Sequence, residues 1–307
     1  MRVPKNQECV SRKTGVWGAD DCERPLREAL TGINPQGIFG SFLGKQKGTR
    51  PAGRNFLCTT PKINEVVSMS NDRLGVIGGM GPQATNTFYQ YIIDRTDART
   101  DQEHLSVLIF SDCAMPDRTA AILGTQEQRD AVYERLLSDA RMLEGAGCTA
   151  IAVPCNTSHY FLDQVQKQIS IPIVHMIRET ARLLVSQGKR RPGILATDGT
   201  IQTGLYQREF AALGIYAAAP RPDAQKQVMS LIYDDIKAGK AGDPEKFAAF
   251  TKDLVEQGCD CAVLACTELS VFASQHHLSS FYVDAMEVLA QRSIEVCHKP
   301  LRTIFRK

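Results

Sequence analysis

The chain has 307 residues, a hydrophobic fraction of 43% and a formal net charge of +2 at pH 7. That length suits one large domain or two of ordinary size, and the small net charge gives no argument for binding nucleic acid or an anionic membrane. The sequence has no apolar run of about 18 residues, so no membrane span is predicted. Ten cysteines are few for a secreted disulfide scaffold of this length, so we expect reduced thiols in a cytoplasmic protein.

Residues 1–68 differ from the rest of the chain because they show no sustained hydrophobic period. They hold the single tryptophan, Trp17, among scattered Gly, Pro and Arg. Acidic residues argue against a transit peptide, and the lack of an apolar stretch argues against a secretory signal. We expect this segment to be disordered or foreign to the native product, with Met69 as a candidate start of translation.

From Leu74 onward, short apolar strands alternate with amphipathic helices. Strands are predicted at 74–77, 104–110, 150–153, 171–174, 193–196, 262–265 and 281–283. This order predicts an α/β fold with mostly parallel sheets and right-handed crossovers. Two similar halves would face each other across a cleft, which is a preferred place for a small-molecule site.

Two of these strands end in a cysteine, at matching places in the two halves. Cys155-Asn156-Thr157 follows one strand and Cys266-Thr267-Glu268 follows the other, and a Gly-Cys pair precedes each at the same distance. A thiol before a helix N-terminus meets unpaired backbone N–H groups and the positive end of the helix dipole, which lower its pKa. Two thiols on opposite walls of one cleft predict proton transfer on opposite faces of one carbon.

The other cysteines and the histidines are interpreted as structural. Buried free cysteine usually behaves as a small hydrophobic residue, which is our interpretation of Cys148, Cys259 and Cys261. The spacing of the last two relative to Cys266 fits no standard zinc motif, so no metal site is predicted.

Two isolated cations, Arg118 and Lys226, stand in polar segments. Alone they are interpreted as surface charges, but in the cleft Arg118 could hold a carboxylate bidentately and Lys226 could add a point charge. The glycines of Gly78–Pro82 lack the order of a phosphate loop. A tight turn that offers backbone N–H groups to a carboxylate explains them as well.

Six segments together resemble the aspartate/glutamate racemase family, most closely its cofactor-independent aspartate racemases. They are Gly78-Gly79-Met80-Gly81-Pro82, Asp101-Gln102-Glu103-His104, Pro116-Asp117-Arg118-Thr119, Pro154-Cys155-Asn156-Thr157, Leu195-Ala196-Thr197 with Gly199-Thr200, and Cys266-Thr267-Glu268. The resemblance implies two similar Rossmann-like three-layer α/β domains with the active site in the cleft between them. Because the family's C-terminal segment returns to the first domain, the domains are expected at 73–177 with 278–307, and at 178–277.

The same resemblance implies the roles of individual residues. Cys155 and Cys266 are the expected catalytic pair, one thiolate removing the α-proton and the other thiol returning a proton on the opposite face. Arg118 and Lys226 are expected to bind the substrate carboxylates. The remaining expected pocket residues are Met80, Asn156, Thr157, Thr200, Thr267 and Glu268. Family members need neither pyridoxal phosphate nor a metal and typically form homodimers.

The sequence therefore predicts a racemase that interconverts L- and D-aspartate, with glutamate as a further substrate. Hydantoin racemase and a maleate isomerase-like enzyme remain alternatives, since both also use paired cysteines, although the Arg118 loop argues for a dicarboxylic amino acid. A non-catalytic dicarboxylate-binding protein of the same fold is a third alternative, against which the two thiols argue. A redox dithiol protein ranks last because no Cys-x-x-Cys joins the two cysteines.

Overall fold

A computed structural model describes residues 72–276 and 278–303, so the predictions for residues 1–68 lie outside the described range. The described strands are β1 Arg73–Gly78, β2 Ser106–Ser111, β3 Ala150–Ala152, β4 Ile173–Val174, β5 Pro192–Leu195, β6 Cys261–Leu264 and β7 Tyr282–Asp284. They form two sheets, of order β2-β1-β3-β4 and β5-β6-β7, in which every pairing is parallel. The predicted α/β class with parallel sheets is confirmed.

Helices follow the strands in both halves. They are α1 Pro82–Arg95, α2 Arg118–Leu123, α3 Gln126–Gly145, α4 His159–Gln166, α5 Met176–Ser186, α6 Asp198–Gln202, α7 Leu205–Ala211, α8 Pro222–Ser230, α9 Pro244–Glu256, α10 Thr267–Gln275 and α11 Ala285–Val296. A π-helical segment, Leu231–Ile236, continues α8, and a 3-10 turn spans Asp101–Glu103. Throughout the described ranges, no helix has the length and apolar character that crossing a membrane requires.

Local sequence signals set several helix starts. Pro82 is the first residue of α1, where its missing N–H and fixed φ cost nothing. Thr125 and Gln128 form a complete capping box at α3, satisfying two N–H groups at that end. Asp284 caps α11 by accepting a hydrogen bond from Met286 N at 2.9 Å.

The apolar core consists of three clusters that cover both faces of each sheet. One cluster lies on the outer face of the first sheet under α3 and α4, and another lies on the outer face of the second sheet under α8, α9 and α10. The third combines residues of both sheets with α1, α5 and α11. Each sheet is therefore enclosed by helices on both sides, as buried parallel sheets require.

The repeated Gly-Cys pairs mark equivalent helix ends. Gly147 and Gly258 adopt φ of 79° and 75°, a conformation that favours glycine, where α3 and α9 end. The N–H groups of Cys148 and Cys259 then donate to Leu143 O and Leu254 O, both at 3.1 Å. Both cysteines are buried beneath the outer helices, which agrees with their structural interpretation.

The last strand differs from its expected position. Residues 278–307 were expected to join the first domain, but β7 pairs in parallel with β6 of the second sheet. The following helix, α11, packs against α1 and β3 of the first half as well as against α5. The residues after α11 also join the first half, since Asp97 N donates to Pro300 O at 2.9 Å and Arg302 N donates to Arg95 O at 2.8 Å. The predicted boundary at residue 278 therefore falls before a strand whose backbone hydrogen bonds hold it in the second sheet, and the rest of the domain division stays a prediction.

Candidate active site

A narrow pocket opens where the carboxyl ends of the central strands of both sheets approach each other. The empty space between its lining residues, including the part open to solvent, is about 320 Å³. The lining residues are Met80, Asp117, Arg118, Thr119, Cys155, Asn156, Thr157, Thr197, Tyr233, Lys237, Cys266, Thr267 and Glu268. Open α/β sheets place ligands at this edge, because loops and helix starts gather there.

The glycine turn after β1 brings Met80 to the pocket. Gly79 has a φ of +84°, and a Cβ at this position would lie 2.4 Å from the backbone carbonyl carbon of Asp112. Only glycine allows the two backbones to approach this closely. Met80 is then held by Ser158, whose hydroxyl donates to Met80 Sδ at 3.2 Å.

Both predicted cysteines line this one pocket, and both are buried. Cys266 occupies the cap position of α10, and its thiol donates to Glu268 Oε2 at 2.9 Å. Burial, followed by the negative charge of Glu268, raises the pKa of Cys266 well above its ordinary value. The expectation that the helix start lowers this pKa is therefore wrong for Cys266, which is held as a thiol.

Arg118 also lines the pocket, at the start of the short helix α2. Its guanidinium donates to Pro116 O at 2.9 Å, while its Nε is buried without a hydrogen-bond partner. Burial lowers the pKa of Arg118, but neighbouring Cys155 and Asp117 outweigh burial and raise the pKa above its ordinary value. A charged donor beside the Cys155 thiol is therefore available to a ligand.

The second cation of the pocket is a different lysine from the predicted Lys226. Lys226 lies on the exposed side of α8 and pairs with Asp223 at 2.8 Å, outside the pocket. Lys237 occupies the pocket instead, with its Nζ 2.5 Å from Glu268 Oε1 and 5.7 Å from the centre of the Tyr233 ring. Burial opposes the charge of Lys237, but Glu268 and Cys266 raise its pKa overall.

The polar residues after Cys155 and after β5 meet across the two halves. Thr157 lines the pocket, and its hydroxyl lies 3.2 Å from the Thr197 hydroxyl and 3.1 Å from the Thr200 hydroxyl. Thr200 does not line the pocket, whereas Thr197, which was not predicted, does. Asn156 lines it as well, and its Oδ1 accepts a hydrogen bond from Tyr206. Thr200 therefore orients a lining residue instead of facing the pocket.

The histidine nearest the pocket has a structural role. His159 Nδ1 donates to Cys155 O at 2.9 Å, and its Nε2 accepts from Met176 N at 3.0 Å. Complete burial, with a contribution from neighbouring His175, lowers the pKa of His159 to about 3. A neutral imidazole therefore fixes the backbone of Cys155.

Two of the five lining residues that sequence reasoning missed, Tyr233 and Lys237, come from the segment after α8. Tyr233 and Lys237 stand four positions apart, which places them on one face of a helix. This spacing is the sequence signal that could have found them. The other three, Asp117, Thr119 and Thr197, were inside quoted motifs but were not assigned to the pocket.

The arrangement combines two thiols with two cations and two carboxylates. Cys155 and Cys266 can exchange protons with a ligand, and Arg118 and Lys237 can bind its negative groups. Among residues 72–276 and 278–303, no three or more His, Cys, Asp and Glu side chains are grouped as metal ligands. The chemistry available to these residues is proton transfer next to a bound carboxylate.

Comparisons with known proteins identify one family. The model of the Asp/Glu/Hydantoin racemase family matches residues 77–292. The broad specificity amino-acid racemase RacX of Bacillus subtilis is 26% identical over 228 residues, which are 72% of this chain and 96% of the relative.

Two solved structures share the fold. An aspartate racemase from Picrophilus torridus has a TM-score of 0.63 at 26% identity, over 75% of this chain and 96% of its own. An aspartate racemase homologue from Pyrococcus horikoshii has a TM-score of 0.61 at 23% identity, over 74% and 99% of the two chains.

Proposed function

The chain belongs to the Asp/Glu/Hydantoin racemase family and is an amino-acid racemase, and we propose that it interconverts L- and D-aspartate, with glutamate as a further substrate. The observation that carries this proposal is the presence of two buried thiols in one narrow pocket with two cations. An α-amino acid with two carboxylates offers one anionic group to each cation. Asp117, which also lines the pocket, can pair with its ammonium group.

The proposed reaction transfers one proton off and one proton onto the α-carbon. Cys155, as thiolate, removes the α-proton from one face, and the Cys266 thiol gives its proton to the opposite face. One C–H bond breaks and another forms, while the negative charge moves from one sulfur to the other. In the reverse direction the two cysteines exchange roles, and neither pyridoxal phosphate nor a metal takes part.

Cys266 suits the acid role because Glu268 holds its proton and its pKa is raised. Arg118 supports the developing charge on the substrate, since its unpaired buried Nε is free to donate to the α-carboxylate. A buried donor without a partner costs about 1–3 kcal/mol, which a bound carboxylate would recover. Two cations also favour a dicarboxylic amino acid over a hydantoin, which carries no carboxylate.

A second candidate is racemisation of many amino acids, as the name of the Bacillus subtilis relative states for that protein. It is favoured by the Lys237–Glu268 ion pair, which neutralises one of the two cations and so lessens the need for a second carboxylate. The homodimer implied by the sequence resemblance stays a prediction, which sedimentation equilibrium of the purified chain would check.

The decisive experiment follows hydrogen exchange at the α-carbon. The full chain, treated with hydroxylamine and dialysed to remove any pyridoxal phosphate, is incubated with L-aspartate in deuterated water. We expect D-aspartate labelled with deuterium at the α-carbon, detected by NMR and chiral chromatography. Cys155→Ala and Cys266→Ala should each lower the racemisation rate by about 10² to 10⁴-fold.

Matched controls are Cys148→Ala and Cys259→Ala, the buried cysteines that precede the two candidates at equal distances. Their racemisation rates should stay within about twofold of the parent. Both cysteines are buried outside the pocket, where a change of packing mainly affects stability. A folded protein with reduced thiols that neither exchanges nor inverts aspartate or glutamate would refute the proposal. A panel of neutral and basic amino acids in the same assay distinguishes the second candidate.

A further inference from the structure

Tyr206 lies behind the pocket, in α7 of the second half, and its side chain is fully buried. Its hydroxyl donates to Asn156 Oδ1 at 2.5 Å. Because Asn156 directly follows Cys155 in the first half, this hydrogen bond connects the two halves at the pocket. Burial raises the pKa of Tyr206 well above its ordinary value, so the side chain keeps its proton and remains a donor.

The partner amide is left with its donor unused. Asn156 lines the pocket, and its Nδ2 is buried without a hydrogen-bond partner among the described residues. Tyr206 occupies the amide oxygen, so the group that Asn156 has to offer a ligand is the NH₂, a donor with no acceptor capacity. Arg118 Nε is a second buried donor without a partner in the same pocket.

We infer that Tyr206 is a positioning residue that sets the pocket's preference for anionic groups by fixing the orientation of the Asn156 amide. This inference rests on the proposed function, in which a substrate carboxylate enters the pocket. With the phenol in place, Asn156 and Arg118 both present N–H groups to that carboxylate. A rotated amide would present Oδ1 instead, and two acceptors facing each other repel.

The test is the substitution Tyr206→Phe, which removes the hydroxyl and keeps the ring. With the amide free to rotate, we expect kcat/KM for aspartate to fall on the order of tenfold, mainly through a higher KM. The affinity for succinate, a dicarboxylate without an α-amino group, should fall by a similar factor in calorimetry. In the background of Asn156→Ala, where no amide remains to be oriented, Tyr206→Phe should cause no further loss.

The matched control is Tyr282→Phe, which removes a phenol that pairs with Thr251 at 2.8 Å outside the pocket. It should lower the melting temperature without changing KM. If the parent enzyme is active and Tyr206→Phe leaves the KM for aspartate unchanged, the positioning role is overturned. It is also overturned if Tyr206→Phe lowers kcat/KM equally in the parent and in the Asn156→Ala background. Neither outcome affects the proposed function. A parent enzyme that neither racemises aspartate nor binds succinate would instead overturn the proposed function, and this inference with it.

Discussion

At the scale of single residues, Glu268 connects the acid–base and binding parts of the site. One carboxylate oxygen accepts the hydrogen bond of the Cys266 thiol and the other pairs with Lys237. Glu268 therefore contributes to the raised pKa of Cys266, for which burial is the larger cause, and to the retained charge of Lys237. Substrate that binds Lys237 would also alter how strongly Glu268 holds the thiol proton, which couples binding to proton transfer.

The two lysines provide a direct residue-scale prediction. Lys237→Met should lower kcat/KM for aspartate by about tenfold to a hundredfold, because a buried charged donor to a carboxylate is lost. Lys226→Met should leave it unchanged, since Lys226 is exposed and paired with Asp223. Steady-state racemisation measured by chiral chromatography checks both.

Lys237→Met also leaves Glu268 buried without its cation, which can destabilise the fold. The double variant Lys237→Met with Glu268→Gln removes both charges and should recover the stability but not the activity. An active Lys237→Met enzyme, or an impaired Lys226→Met enzyme, would show that the pocket has been assigned the wrong lysine.

At the scale of secondary structure, the π-helical segment after α8 brings two side chains to the pocket. Leu231–Ile236 holds Tyr233 and ends one residue before Lys237. Lys226 lies in α8 before the π-helical segment and is exposed, whereas Lys237 directly follows the segment and lines the pocket. Because π-helical turns are wider than α-helical turns, the spacing of a regular helix does not determine which lysine reaches the pocket.

Helix α3 carries a buried carboxylate that ties stability to pH. Asp139 is 6% exposed, and its Oδ2 has no hydrogen-bond partner. Burial, followed by the charge of Asp112, raises its pKa to about 6, although Arg135 acts in the opposite direction. Since the unfolded value is about 3.9, this group favours the folded state when protonated, and that contribution is lost as pH rises from about 4 through 6.

Asp139→Asn should therefore stabilise the protein in a pH-dependent manner. We expect a gain in the free energy of unfolding on the order of 1–2 kcal/mol at pH 8, a smaller gain at pH 5 and almost none below pH 4. Urea denaturation at several pH values measures it. Asp130→Asn, on the exposed side of the same helix, is the control and should show no such trend. A gain independent of pH would contradict the assigned cause.

At the scale of the whole molecule, the central core cluster joins the two sheets. It combines Leu74 and Val76 of β1 with Ile194 of β5 and Val263 of β6, and Leu289 of α11 packs among them. The hydrogen bonds from Tyr206 to Asn156 and from Thr157 to Thr197 and Thr200 also cross between the halves. The halves that form the pocket therefore share a core and a polar network.

Such a shared core predicts that both sheets unfold together. Val132→Ala, on the outer face of the first sheet under α3, should lower the stability by about 2 kcal/mol. Hydrogen exchange should then show equal losses of protection for the amides of β3 and β6, although β6 lies far from the substitution. Loss of protection in the first sheet alone would show that the halves unfold independently.

Local sequence determined much of this protein. Apolar runs with polar ends located the strands, and the matching contexts of Cys155 and Cys266 indicated the pocket. These features depend on residues close together in the chain, whose periods and caps act before tertiary contacts form.

Only the tertiary structure decided which other side chains share the pocket. The lysine depends on how far α8 and its π-helical continuation extend toward the cleft, and Thr200 is separated from the pocket by Thr157 and Thr197. The sheet that contains β7 was decided by its hydrogen bonds to β6, which no local pattern specifies. The raised pKa of Cys266 depends on burial and on Glu268, so it follows from packing and not from the helix start alone. Distances across the chain, which sequence spacing does not encode, set each of these outcomes.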